Sequence, residues 1–219
     1  MLPSARDDPP PRREVVQAAV RALDRWAEAP EKVKYFVLRL LNAGLGWDLT
    51  LDTDDRRVLE KVIFPYFLER DEFSRILFVG CDWYTRRYNR VFASKEYWTI
   101  DKAESQRPHG SPRHVTDSLR ALRRHFAAGA FDLILCNGVV GWGLNLEEEA
   151  RESFAASRDC LREGGQFVLG WNDVPRKTPF AVEEAVRAAG LRPHVFPPLG
   201  AARHLTRSRN RHTFSFYVR

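Results

Sequence analysis

The chain is poor in the residues that would make it disulfide-bonded, metal-binding or membrane-spanning. Its three cysteines, Cys81, Cys136 and Cys160, are odd in number and far apart. That pattern gives neither a disulfide framework nor metal-ligand spacing, so no metal site is expected. No stretch reaches the roughly 18 uninterrupted apolar residues of a membrane span. The start, with Pro3, Pro9, Pro10 and Pro11 among charges, lacks the apolar centre of a signal peptide. A cytoplasmic location with reduced thiols and no membrane partner is expected. There is no internal repeat, and no Gly-x-Gly-x-x-Gly turn opening a helix, which argues against a dinucleotide-dependent oxidoreductase.

What is present suffices for one large domain: 219 residues, 44% of them hydrophobic. The formal charge of +6 comes largely from arginine. A basic surface can attract nucleic acid or acidic metabolites. Here the arginines are dispersed on predicted helices, so a solvated face explains them and nucleic acid is not the favoured partner. Residues 1–13 hold too little apolar surface to repay ordering and read as a disordered tail. In 14–29, Val15, Val16, Ala19, Val20, Leu23 and Trp26 recur at three- and four-residue spacing, one face of a helix. A second helix spans 30–42, with Pro30 in its first turn and Gly44 and Gly46 as its stop. A third follows Thr53 as N-cap, with Val58, Leu59, Val62 and Ile63 as its apolar stripe. Residues 14–70 thus form a helical extension ahead of a domain at 71–219.

From residue 75 the pattern alternates strand and helix, as in a parallel sheet covered on both faces. Strands are predicted at 75–79, 97–100, 113–115, 131–136, 166–171, 192–196 and 212–218. Helices are predicted at 88–92, 119–127, 146–161 and 179–189. The connection 197–211 is simplest as a hairpin, which makes the seventh strand antiparallel. Within this frame 75–102 stands out: an apolar strand ending in Gly80, a short crossover, and a second strand ending in Asp101. Doubly wound proteins hold adenine nucleosides with such a unit, outside the carboxyl ends of the strands. Four of those ends are polar here: Gly80 to Thr85, Asp101-Lys102, Thr116-Asp117-Ser118, and Asn137 to Gly143.

Taken in order, ILFVGCDWYT, YWTID, HVTDSL, FDLILCNGVVGWG, LREGGQFVLGW and the closing FYVR resemble the class I S-adenosylmethionine-dependent methyltransferases over 75–219. The resemblance implies a seven-stranded, mostly parallel Rossmann-like α/β sheet with an antiparallel last strand, helices on both faces and an N-terminal helical extension. It implies S-adenosyl-L-methionine as cofactor. Of the family's acidic-x-Gly-x-Gly-x-Gly turn only Gly80 remains, with Phe78, Asp82 and Tyr84 at the other positions. Asp tolerates positive φ better than most residues, so Asp82 can replace a glycine and can supply the acid that Phe78 does not. Gly80, Cys81, Asp82 and Tyr84 are then the cofactor loop. Asp101, followed by Lys102, takes the ribose hydroxyls in the family's manner, or else serves as a cap or turn residue. Asp117 and Ser118 meet the adenine, or cap the helix that follows.

Asn137 and Gly138 open the edge that in the family faces the reactive methyl group. Trp142 offers a flat wall to a substrate, or packs in a glycine-rich turn. Some amino methyltransferases carry Asn-Pro-Pro-aromatic there; both prolines are missing here, so that activity is not carried over. Methyl transfer needs an aligned nucleophile and the handling of one proton. His204 is the candidate base, with a merely solvated histidine as its alternative. The connection carrying Arg203, Arg207, Arg209 and Arg211 has no acidic residue, and Arg207 is the candidate contact for an acidic acceptor. Tyr35 and Trp47 are candidates for an aromatic lid, or pack on the sheet. The expected activity is methyl transfer to oxygen or nitrogen of a small molecule. A nucleic-acid or protein methyltransferase and a non-catalytic nucleoside-binding protein are the alternatives.

Overall fold

The structure, a computed structural model, describes residues 31–45 and 53–219. It divides into two compact units, Met1–Leu49 and Thr50–Arg219. In the first, α1 spans Glu31–Leu45 and so runs through Gly44 instead of stopping at Asn42. One glycine in a leucine-rich helix costs only about 1 kcal/mol, too little to end it. The tail at 1–13 and the predicted helix at 14–29 lie outside the described residues.

The second unit opens with a helical run of three parts, α2 (Asp54–Val58), a π-helical turn (Leu59–Ile63) and α3 (Phe64–Leu68). Thr53 is extended (φ −110°) but its hydroxyl makes no cap bond, and Asp54 and Asp55 supply the negative charge that the first turn favours. The π turn has a local cause. Pro65 has no N–H for the Lys61 carbonyl and its ring would crowd that oxygen, so the helix widens just before it.

The sheet comprises β1 (Arg75–Val79), β2 (Glu96–Asp101), β3 (His114–Thr116), β4 (Phe131–Asn137), β5 (Leu161–Asn172), β6 (Arg192–Pro193), β7 (Arg203–Leu205) and β8 (His212–Val218). Its order is β3-β2-β1-β4-β5-β8-β6, with β7 also on β8. The pairs among β1 to β5 are parallel, while β8 is antiparallel to β5, β6 and β7. Burial splits by strand parity, as period-two side chains require. Leu77, Val79, Ile134 and Cys136 face one core, with Phe154 of α5 (Glu147–Cys160) and Val186 of α6 (Val182–Ala188). Ile76, Phe78, Leu133 and Leu135 face the other, with Leu59, Ile63, Phe64 and Phe67. Near-continuous apolar strands are therefore buried on both faces.

The predicted seventh strand is the eighth, because the sixth is interrupted. β6 and β7 follow one another along the same edge of β8, facing Tyr217–Val218 and Thr213–Ser215. Between them Pro197 and Pro198 cannot donate to the ladder, and the chain turns out through a 3-10 helix, Pro197–Leu199. The Phe196–Ala201 bridge closes that excursion, and the hairpin proper is the short turn after Leu205, where Thr206 N–H donates to His212 O at 2.9 Å. The helix expected at 119–127 is a tight 3-10 segment, Leu119–Arg124. The one at 88–92 is a single turn, α4 (Tyr88–Val91).

Candidate functional site

Strand order reverses at β1, which lies between β2 and β4, and the polar strand ends meet there. β1 gives way to Gly80 at φ 87°, a left-handed conformation that a side chain would strain. A Cβ there would also stand 3.0 Å from Val139 Cγ2. The next residue, Cys81, donates its N–H to Asp101 Oδ2 at 2.8 Å, and Ala103 N–H donates to Oδ1 at 2.9 Å. The carboxylate is thus held by one backbone donor on each oxygen. An ionised carboxylate offers about four acceptor sites, so each oxygen keeps one. Thr116 pairs with Asp101 in register, and its buried Oγ1 has no hydrogen-bond partner among the described residues. A narrow glycine turn, a half-engaged carboxylate and an unused hydroxyl fit a ribosyl group.

Around this turn the side chains are occupied in ways the sequence did not reveal. Asp82 is extended, φ −154°, rather than left-handed, and its Oδ1 accepts Trp83 N–H at 2.8 Å to cap the 3-10 turn Trp83–Thr85. The loop needs positive φ only at Gly80, so Asp82 is not a glycine substitute. Burial, aided by the Asp101 charge, pushes the Cys81 thiol up to about 12, so it stays protonated and is no nucleophile. Tyr84 lies beneath the Arg56 guanidinium, 4.4 Å from Cζ to ring centroid, and burial raises its pKa as well. Lys102 reaches from the end of β2 to the loop after β4, where Nζ donates to Gly143 O at 2.8 Å.

Asp117 turns toward the 3-10 helix: Oδ1 accepts Ser118 N–H at 2.7 Å and Oδ2 stands 2.8 Å from His125 Nε2. That bond to His125 is the main cause of its lowered pKa. Asp117 and Ser118 line a shallow groove of about 600 Å³ with Arg120, Glu152 and Asp159. The groove flanks α5.

Asn137 is buried with His212 in a polar network. His212 Nε2 lies 3.0 Å from Asn137 Oδ1, and Nδ1 lies 3.0 Å from Asn172 Oδ1, joining the ends of β4, β8 and β5. Burial lowers the His212 pKa to about 4, so the ring is neutral at pH 7. A neutral imidazole has one N–H and one lone pair; it therefore donates to one amide oxygen and accepts from the other amide turned to offer its Nδ2. Gly170 makes room for this, since a Cβ there would fall 1.9 Å from Asn137 Oδ1. Gly138, at φ 72°, follows Asn137 out of the sheet.

Trp142 is 68% exposed rather than packed, with Lys177 Nζ 5.1 Å from its ring centroid and 3.1 Å from Asn210 Oδ1. His204 lies half-buried on β7, opposite Phe214, and not in a loop. Arg207 N–H donates to Asp54 Oδ2 at 2.7 Å, which ties the hairpin to α2. The basic connection is partly neutralised: Arg203 pairs with Asp173 at 2.7 Å and Glu183 at 3.3 Å, and Arg211 lies 3.7 Å from Asp173. Tyr35 is half-buried on α1 in the first unit, and Trp47 lies outside the described residues. The structure therefore joins Gly80, Cys81 and Asp101 directly, and Asn137 to His212. It turns Asp117 elsewhere. In the sequence Thr116 reads only as part of a polar strand end, and the charged start of α2, with Asp55 and Arg56, as an ordinary solvated helix turn, although Arg56 is buried.

No protein-family model and no curated protein matches the chain. Solved structures do match its fold. The N-methyltransferase NodS from Bradyrhizobium japonicum WM9 is 15% identical with a TM-score of 0.57, over 77% of this chain and 98% of that one. NodS in complex with S-adenosyl-L-homocysteine matches with a TM-score of 0.54 at 15% identity, over 76% of this chain and 92% of that one. A TehB-like SAM-dependent methyltransferase from Corynebacterium glutamicum gives 17% identity and a TM-score of 0.57, over 87% and 100% of the two chains. TrmN from Thermus thermophilus gives 15% and 0.54, over 83% of this chain and 52% of that one. The fold is the Rossmann-like sheet of the class I S-adenosylmethionine-dependent methyltransferases.

Proposed function

We propose that the chain is an S-adenosylmethionine-dependent methyltransferase acting on oxygen or nitrogen of a small molecule. The observation that carries the reading is the bond from Cys81 N–H to Asp101, which draws the glycine turn and the acid-ending strand together at the reversal of strand order. The likeness to NodS, whose structure holds S-adenosyl-L-homocysteine, supports the choice of nucleoside. When bound, this cofactor supplies an electrophilic methyl group on a sulfonium centre.

The protein's own part is to bind and orient. Asp101 takes the ribose hydroxyls on the acceptor sites its backbone donors leave, with Thr116 Oγ1 beside it. The Gly80–Cys81 backbone allows close approach. Asn137, its amide held by His212, and exposed Trp142 form the acceptor side. His204 is the residue proposed to take the acceptor's proton, and Arg207 the one to meet an acidic group on the acceptor. Small acceptors are favoured because Arg203 and Arg211 are shared among Asp173 and Glu183.

Calorimetry with S-adenosyl-L-homocysteine tests the core of this reading. Micromolar binding that Asp101→Ala abolishes is the expected outcome. A well-folded protein that takes up no S-adenosyl-L-homocysteine would sink it.

A further inference from the structure

Arg56 is a charged group in an unusual place. It sits on α2 and is only 7% exposed, although a permanently charged guanidinium loses several kcal/mol of hydration on burial unless it is paired. Its bonding and stacking partners are phenols. Nη1 donates to the Tyr88 hydroxyl at 2.9 Å, and the guanidinium lies over the Tyr84 ring. The closest carboxylate recorded is Asp55, with Oδ2 4.0 Å from Nε, beyond hydrogen-bond reach. Glu60, the other acid nearby, accepts from Tyr88 OH and is paired with Arg87. Among the described residues, the hydrogen bond recorded from the Arg56 fork thus goes to a neutral phenol and not to a carboxylate.

The position is also telling. Tyr84 and Tyr88 belong to the segment that leaves the Gly80–Cys81 turn, and His212, in the network with Asn137, feels the charges of both Asp55 and Arg56. Arg56 is therefore packed against the segment that follows β1. In β1 Phe78 is apolar and buried, and in the loop after it Asp82 is engaged in capping. A guanidinium and a carboxylate side by side, close but not bonded to each other, are complementary to a zwitterion: a carboxylate for the fork and an ammonium for the acid.

We propose that Arg56 and Asp55 hold the α-amino-acid end of the bound cofactor, Arg56 its carboxylate and Asp55 its ammonium. The inference rests on the cofactor reading above. It makes α2 part of the binding site.

The test varies the ligand first, so that it does not depend on a variant folding. Calorimetry on the unaltered protein compares S-adenosyl-L-homocysteine with its decarboxylated analogue, 5′-deoxy-5′-(3-aminopropylthio)adenosine, and with 5′-methylthioadenosine. Loss of the carboxylate should weaken binding by about tenfold or more, as for a charge-assisted pair. In Arg56→Met and Asp55→Asn, S-adenosyl-L-homocysteine should weaken by about the same factor while 5′-methylthioadenosine stays within about twofold. Equal affinity for the homocysteine compound and its decarboxylated analogue overturns the proposal and leaves the cofactor reading standing. So does an Arg56→Met variant that weakens both nucleosides alike, which marks a purely structural arginine. If the unaltered protein binds none of the three, the cofactor reading falls and this inference with it.

Discussion

At the scale of the residue, His212 carries the clearest consequence. Its ring is buried between Asn137 and Asn172, within the fields of Asp55, Arg56 and Lys177, and its pKa falls from 6.5 to about 4 because burial disfavours the charged form. In the unfolded chain the ring protonates near its ordinary value, so below that pH the unfolded state binds a proton that the folded state does not. The stabilisation is complete above pH 6.5 and is lost progressively as pH falls toward 4. Thermal unfolding midpoints should therefore decline across that window, and the decline should be shallower in His212→Gln. Identical profiles for the two proteins would remove His212 as the source. Nothing in the sequence set this histidine apart from His204: both flank the same basic turn, and only the folded chain buries one between two amides.

Among the elements, the amino ends of the strands are fastened by one carboxylate. Asp132 Oδ2 accepts from Ser74 N–H and Oγ and from Arg75 N–H at 2.7 to 3.1 Å, and Oδ1 accepts from Arg162 Nε at 2.8 Å. One side chain thus ties β1, β4 and β5 at the end opposite the site. Asp132→Ala should lower stability by about 2 kcal/mol in urea unfolding, the scale of a lost hydrogen bond to a charged group. Asp132→Asn, which keeps an acceptor, should lose less. A change near zero for the alanine variant would show that water replaces the carboxylate at no cost. The same strands show what could be read in advance. Apolar runs at 75–79 and 131–136 mark them because both faces are buried, whereas the break between β6 and β7 turns on where Pro197 and Pro198 fall relative to the β8 ladder.

For the whole molecule, the charge of +6 is interleaved with acid: Arg120 with Glu149 and Glu152, Arg151 with Glu147, Arg162 with Asp132, Arg203 with Asp173 and Glu183. Fluorescence anisotropy with a single-stranded oligonucleotide should show only non-specific binding, no tighter than about 10⁻⁶ M at physiological salt. Much tighter binding with a steep salt slope would count against a small acceptor. The sequence by itself determined the sheet: apolar runs of strand length, alternating with helices and ended by glycine and acid, allow little but a parallel sheet covered on both faces. It also marked Gly80 and Asp101, because backbone approach and a strand-end carboxylate are local demands that a short window displays. Asp82 and Asp117 took local partners, Trp83 and His125, while the tertiary structure alone decided that His212 holds Asn137 and that Arg56 of α2 is buried against Tyr84 and Tyr88. The last two outcomes depend on contacts between residues far apart in the chain, and such a partner, unlike a side chain's periodicity, is not written in its neighbours.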